Sequence, residues 1–351
     1  MKAGHDFGQP PYMIVWETTR ACALACRHCR AEAQPKRHPE ELTTAQAMEL
    51  IAQVERAQPQ LFIFTGGDPM LRPDLLELIQ RAAASKTFRV AISPSATPQL
   101  LKTDFKQLKQ AGAASMSISL DGADEETHNA FRGSQHSWDW TMEAIRRAQA
   151  ANIALQINTT ITPTNWRQLD SFRRLLDGIS PMTWSLFMLV PTGRGRNETS
   201  LHAQDMEDFF VRLFEVSCKT PYQIKTTEGQ HYRRVFLQRS GLSVQESRIL
   251  GLNDGKGFVF VSHTGEIHPS GFLPIATRNV KDEELIDVYR HHPLFRSLRD
   301  SSQLKGKCGR CEFNGICGGS RARAYAMTGD FLAAEPLCSY QPQQDEIPIH
   351  A

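Results

Sequence analysis

Three cysteines, Cys22, Cys26 and Cys29, stand close together in "TTRACALACRHCRAEA", spaced C-x3-C-x2-C directly after an apolar run. Three thiolates can hold three irons of a cubane [4Fe-4S] cluster and leave the fourth iron open to a ligand that is not protein, whereas a fully ligated cluster takes four cysteines. An open metal position separates catalytic from structural metal sites, so a count of three carries chemical meaning. The bland alternatives are a zinc site or unrelated buried thiols, since free cysteine often serves as a small core residue. A second group, Cys308, Cys311, Cys317 and Cys338, is spaced C-x2-C-x5-C-x20-C. Four thiolates suffice for a closed site, and this spacing fits an auxiliary [4Fe-4S] cluster and a structural zinc alike. Cys218 alone stands apart, at the end of an amphipathic stretch, and is expected in the core.

Six short β-rich runs, at 13–19, 60–67, 88–96, 115–122, 153–161 and 183–191, must position these groups. They alternate with stretches such as 43–57, 73–85 and 140–152, where apolar residues recur three and four apart as on an amphipathic helix. Such alternation predicts an α/β fold with a parallel sheet. Six units fall short of the eight that close a full barrel, so the expectation is an open, partial (β/α)6 TIM-like barrel. Ligands in these folds sit at the C-terminal ends of the strands, where this sequence collects its glycines and polar residues. Gly66, Gly67, Asp68 and Pro69 stand at the end of the second run, Ser93 and Ser95 at that of the third, Ser119 and Asp121 at that of the fourth, and Asn158 toward that of the fifth. Turn chemistry alone would account for any one of them.

After a predicted helix at 203–217 the rhythm changes. "GFVFVSHTGEI" at 257–267 reads as a β-hairpin turning at Thr264-Gly265, and from 308 the chain is rich in cysteine, glycine and arginine. A domain boundary is therefore expected near 235, separating 1–234 from 235–351, with the polar tail "QPQQDEIPIHA" expected to fray.

The 40 basic and 38 acidic side chains leave a formal charge of +2, so no overall field steers this protein of 351 residues toward nucleic acid or an anionic membrane. Hydrophobic residues at 40% and charged residues at 22% describe an ordinary globular chain rather than a disordered one. The amino end has no basic start leading to an apolar segment and cleavage site, so no signal peptide is expected. No stretch approaches the roughly 18 apolar residues of a spanning helix, and a cytoplasmic location follows as the expectation. In a reducing compartment, cysteines grouped in this way point to metal binding rather than a disulfide framework. Basic residues gather beside both groups: Arg20, Arg27, Arg30, Lys36 and Arg37 near the first, Arg321 and Arg323 near the second, with Arg194 and Arg196 in "PTGRGR". Guanidinium forks suit carboxylates, although such a set can also simply balance charge.

"CALACRHC" after a first strand resembles the radical S-adenosylmethionine (SAM) superfamily. In that family the three cysteines hold a [4Fe-4S] cluster whose open iron is chelated by the amino and carboxylate groups of SAM. One electron then cleaves the sulfonium, releasing a 5'-deoxyadenosyl radical that abstracts hydrogen from a substrate. "TGGDP" at 65–69 resembles the family's GGEP-type motif, whose backbone receives the methionine amino group, with Asp68 in place of the commoner glutamate. The resemblance implies ribose and methionine contacts at Ser93, Ser95, Ser119, Asp121 and Asn158, and a SAM or substrate contact at Arg194. His28 departs from the pattern, standing where many members carry an aromatic residue near adenine.

"CGRCEFNGICGGSRARAYAMTGDFLAAEPLCSY" and "SISLDGADEETHNAFRG" resemble the SPASM and twitch-type subgroup, so the likeness spans nearly the whole chain. In that subgroup the four C-terminal cysteine positions ligate an auxiliary cluster, implying a C-terminal auxiliary iron-sulfur cluster domain and a second [4Fe-4S] cluster here. Ser270 in "HPSGF" stands where full SPASM domains commonly have a cysteine, which implies one auxiliary cluster fully ligated by protein. A flavodoxin or ferredoxin-type electron donor is also implied. The wording "CGGSRARAYAMTGD" resembles two branches: enzymes of heme and related tetrapyrrole biosynthesis that decarboxylate or remove propionates, and maturases of ribosomally made peptides such as those for pyrroloquinoline quinone and mycofactocin. The short chain, with only 12 residues ahead of the first β-rich run at 13–19, favours the tetrapyrrole branch. The contrasting class is a metal-binding scaffold without activity. It would show damage at the first cysteine triad or at "GGDP", and neither is damaged.

Overall fold

The computed structural model describes residues 8–342 apart from residue 248, so most of the polar C-terminal tail lies outside the described residues. Its strands are β1 (Met13–Glu17), β2 (Leu61–Thr65), β3 (Arg89–Ile92), β4 (Ala113–Ser119), β5 (Ala154–Ile161), β6 (Thr183–Met188), β7 (Gln223–Thr227), β8 (Phe258–Val261), β9 (Glu266–His268) and β10 (Arg278–Asn279). They form one sheet in the order β10-β9-β8-β1-β2-β3-β4-β5-β6-β7. Neighbours from β1 to β7 pair in parallel, as β8 does with β1, while β9 and β10 run antiparallel.

The six expected strands are present in sequential order with helices between them, as a partial (β/α)-barrel requires. Two strands extend it. β7 adds a parallel strand beyond β6, and β8, the first arm of the expected hairpin, pairs with the opposite edge at β1. The sheet thus continues across residue 235. Local signals act where expected: helix Thr44–Ala57 begins with a capping box in which Thr43 and Gln46 satisfy each other's backbone N–H groups.

Side-chain alternation fixes which face of the sheet does what. Ile14, Trp16, Phe62, Phe64, Val90, Ile92, Ile118, Ile157, Trp184 and Leu186 are buried in the core beneath the helices. Strands buried on both faces read as continuous apolar runs. Here β4 to β7 instead place mostly polar residues at alternate positions, Phe187 of β6 being an exception, so their other face lines a largely polar lumen. Parallel register aligns Ser119 with Asn158, Asn158 with Ser185, and Ser185 with Lys225 in one row across four strands.

Cys218 corrects an expectation, because it is exposed. The helix Ala203–Ser217 turns Met206, Phe209, Phe210, Leu213 and Val216 inward, and Cys218 caps its end off that stripe. Among the described residues no helix is long and apolar enough to cross a membrane.

Candidate active site

The first cysteine triad lies on a loop that leaves the C-terminal end of β1 and closes on itself. Cys22 N–H donates to the Gln34 carbonyl at 2.8 Å, and Gln34 N–H to that of Arg20 at 2.9 Å. Upstream, Glu41 pins the strand exit by accepting from Thr19 Oγ1 at 2.6 Å and from Arg37 Nε at 2.7 Å. Within the loop, Leu24 N–H points at Cys22 Sγ (3.4 Å) and Ala33 N–H at Cys29 Sγ (3.5 Å).

Gly66 and Gly67 bring the end of β2 against this loop. Gly67 N–H donates to the Thr19 carbonyl and Asp68 N–H to that of Ala21, both at 2.7 Å. A Cβ on Gly67 would lie 2.5 Å from the Ala21 carbonyl oxygen, and one on Gly66 2.5 Å from that of Thr19. The glycines are therefore required by the loop's own backbone, whatever ligand follows. Asp68 caps the short turn Pro69–Leu71, accepting from Met70 N–H, Ser95 N–H and Thr97 Oγ1. Burial pushes its carboxyl up to about 6 against those hydrogen bonds. Ser95 Oγ donates to the Gly67 carbonyl at 2.9 Å and lies 3.5 Å from Cys22 Sγ, while Ser93 continues β3 with its N–H on the Phe64 carbonyl.

Arg194 meets the triad loop from the far side. Its Nε donates to the Cys26 carbonyl (2.9 Å), its Nη1 to that of Ala33 (3.0 Å) and its backbone N–H to that of Cys29 (3.0 Å). Gly193, at φ +55°, permits this contact, since a Cβ there would sit 2.4 Å from the Arg30 carbonyl oxygen. The residue expected to touch SAM or substrate thus fastens the cysteine loop, and its buried Nη2 has no partner.

His28 stacks on Phe131 with ring centroids 4.4 Å apart, and burial pushes its imidazole down to about 4. Asp121 accepts from Thr160 N–H at 2.8 Å and from Arg132 Nη1 at 3.3 Å. Ser119 and Asn158 share the lumen row, with Asn158 Oδ1 taking Gln156 Nε2 at 2.7 Å. Arg132 had not been singled out in the sequence. Burial opposes its charge, yet Cys26, Asp121, Cys22 and Cys29 together hold it more firmly protonated than usual. Burial pushes the thiols of Cys22 and Cys26 up, and the fixed Arg132 cation works against that, toward the anionic form that binds metal. The other arginines near the triad mostly engage carboxylates: Arg30 with Glu17 at 3.1 Å, Arg27 with Glu198 at 2.9 Å, and Arg37 with Glu41. Burial works against the charge on Glu17, but Arg30 and His263 hold its carboxyl below the usual range.

Cys308, Cys311, Cys317 and Cys338 all line one small cavity, together with His231, Arg234, Lys307 and Glu335. Beneath it lies a buried polar frame. Arg323 pairs with Glu335 at 3.1 Å and donates to the Glu228 carbonyl, and Glu335 accepts Ser320 N–H at 2.7 Å. Arg321 donates to the carbonyls of Phe331 and Ala333. Glu335 N–H and Gly319 N–H point at Cys308 Sγ (3.2 Å) and Cys317 Sγ (3.5 Å). His231 is buried with both ring nitrogens unpartnered, a neighbour that its solitary place in the sequence did not announce. Ser270, standing in for a fifth cysteine, accepts Phe272 N–H and Leu273 N–H and so closes its own turn. Among the described residues no three His, Cys, Asp or Glu side chains gather closely enough to hold a single metal ion.

Both donor sets suit iron-sulfur clusters: an open triad beside a fixed cation, and four thiols around one cavity, each with N–H groups directed at sulfur. Comparison with known proteins gives the family. Residues 16–176 match the radical SAM superfamily. The chain is 39% identical to an AdoMet-dependent heme synthase of Nitratidesulfovibrio vulgaris over 95% of its own length and 93% of the relative's. It is 31% identical to a mycofactocin maturase of Mycobacterium tuberculosis, covering 95% and 82% of the two chains. Among solved structures, Streptococcus suis SuiB bound to the precursor peptide SuiA matches with a TM-score of 0.75 over 95% of this chain and 76% of that one, at 17% identity, which is a likeness of fold.

Proposed function

The chain belongs to the radical SAM superfamily and is a radical SAM enzyme, and from that premise we propose that its substrate is a tetrapyrrole whose propionate side chains it decarboxylates oxidatively or removes. The observation that carries this choice is the 39% identity to an AdoMet-dependent heme synthase along 95% of the chain. The family implies a [4Fe-4S] cluster and SAM, which when bound supply a 5'-deoxyadenosyl radical for hydrogen abstraction.

Cys22, Cys26 and Cys29 would hold that cluster, with Arg194 keeping their loop closed and Arg132 balancing their charge. Gly66 to Pro69, Ser93, Ser95, Ser119, Asp121 and Asn158 line the strand ends where SAM would lie, and His28 would stand at the adenine end. A lumen screened from water protects a reactive intermediate.

Turning a propionate into a vinyl group after loss of one hydrogen atom releases CO2 and leaves one electron to be removed. Cys308, Cys311, Cys317 and Cys338 would hold a second [4Fe-4S] cluster to take it, since thiols set around a cavity suit a cubane better than a lone zinc. The segment 235–351 is then an auxiliary-cluster unit serving the barrel of 1–234. A flavodoxin or ferredoxin-type donor would supply the starting electron, in the cytoplasm and without a nucleic-acid or membrane partner. The 31% identity to a mycofactocin maturase supports a second reading, maturation of a ribosomally made peptide.

The deciding experiment incubates the anaerobically reconstituted protein with dithionite, SAM and iron coproporphyrin III. Porphyrin mass falling by CO2 and two hydrogens per altered side chain, or by a whole propionate, is expected, with deoxyadenosine formed alongside. An untouched porphyrin and a precursor peptide that is modified instead would overturn the tetrapyrrole assignment.

A further inference from the structure

Strand β7 places a lysine where the barrel gives it no counterion. Lys225 aligns with Ser185 of β6, which aligns with Asn158 of β5 and through it with Ser119 of β4. Its strand neighbour Ile224 packs on the apolar core, so Lys225 faces the other way, into the lumen. Among the described residues it makes no hydrogen bond or ion pair. Beside it, Ser185 is fully buried and its Oγ also lacks a partner.

Ser185 is costly as it stands, because a buried polar group without a partner is destabilising, while Lys225 is half-buried at the edge of the sheet and keeps its charge without a counterion. Burial alone pushes Lys225 down to about 8. Unpaired polar groups on one face of an enzyme cavity are where a polar ligand is expected to complete the hydrogen bonding. With adjacent strands about 4.8 Å apart, Lys225 lies roughly 10 Å from Asn158, beyond the part of the row that the SAM contacts would occupy.

We propose that Lys225, with the Ser185 hydroxyl beside it, forms a subsite in the lumen for a carboxylate of the substrate. This rests on the tetrapyrrole assignment above, where the carboxylate is a propionate that the lysine holds in register with the site of hydrogen abstraction. An ammonium and a hydroxyl offer one charged and one neutral donor to the two carboxylate oxygens.

The test uses the reconstituted protein and its Lys225→Met variant, with iron content confirming that both carry the same clusters. Iron coproporphyrin III and its tetramethyl ester are titrated by Soret absorbance, and SAM by calorimetry. The expected result is at least about tenfold weaker binding of the free acid by the variant, as for loss of one charge-assisted hydrogen bond, with ester and SAM affinities unchanged. Unchanged affinity for the free acid overturns the subsite. Weaker SAM binding instead also overturns it, assigning the ammonium to the methionine carboxylate. If the intact protein binds neither porphyrin, the tetrapyrrole assignment fails separately and the subsite is judged by acetylation of Lys225 in peptide mass spectrometry. Protection by glutarate then supports it, and equal labelling with and without glutarate overturns it.

Discussion

The loop bearing Cys22, Cys26 and Cys29 and the cavity bearing Cys308, Cys311, Cys317 and Cys338 both gather thiols, but they are held in different ways. The loop is suspended through its backbone: carbonyls of Cys26, Cys29 and Ala33 receive Arg194, and those of Thr19 and Ala21 receive the glycine-rich end of β2. Its clasps come from two different barrel strand ends. The C-terminal cavity rests on a buried polar frame instead, with Arg323 and Glu335 at 0% and 1% side-chain exposure and Ser320 on both Glu335 and Glu228. The difference fits the ligand sets. A triad that must leave one iron open to a changing ligand is held by the barrel that binds that ligand, while a closed set of four needs only a stable floor. If so, the two centres should be separable by mutation.

The largest effect is expected on the C-terminal side. Arg323→Met leaves Glu335 buried without its counterion, which costs about 3–5 kcal/mol. Thermal unfolding should register that loss, and iron analysis should find the second centre depleted while the triad still loads. Gly67→Ala should do the reverse. Its Cβ would meet the Arg20 and Ala21 carbonyl oxygens at 2.6 and 2.5 Å. A strain of roughly 1–3 kcal/mol is expected, with iron lost from the triad alone.

Lys225→Met lies in neither region and serves as a control with the opposite sign. A lysine whose folded value is pushed to about 8 binds fewer protons folded than unfolded between there and 10.5, so its penalty is complete below pH 8 and fades as pH rises to 10.5. The variant should therefore be more stable near neutrality, by on the order of 1–3 kcal/mol, and gain nothing above about pH 11. Denaturant melts at pH 7 and pH 10.5 would check this. Arg194→Met should have the smallest effect on global stability, about 1 kcal/mol, because loop carbonyls can turn to water. Its readout is local: a chelator should strip iron from the triad faster than in the parent, with the second centre unaffected.

Much of this architecture was legible in the sequence. Spacing exposed both cysteine groups, and the alternation of β-rich and amphipathic runs exposed six strands, because each signal is local along the chain. What escaped depends on the third dimension. β7 escaped because "QIKTT" spends alternate positions on a polar lumen rather than a core. The parallel pairing of β8 with β1 joins residues some 240 positions apart, as Ile14 with Val259 illustrates, and no local pattern encodes it. Arg132 carries no signal in the sequence that sets it apart from other arginines, yet the fold brings its charge near the three thiols. Arg194 was noticed as a cation, but its partners are carbonyl groups, which every residue possesses and no sequence distinguishes. Cys218 was misplaced because burial of a cysteine depends on which side of the helix stripe it falls.

If the two thiol sets hold two separate clusters, only the first of them open to SAM, the decisive check is to count iron, sulfide and zinc in the anaerobically reconstituted protein and in the Cys22→Ala/Cys26→Ala/Cys29→Ala variant, then add dithionite and SAM and measure deoxyadenosine. The expected result is about eight irons per chain falling to about four, with deoxyadenosine formed by the parent and absent from the variant. About four irons with one zinc in the parent, or deoxyadenosine persisting in the variant, would contradict it.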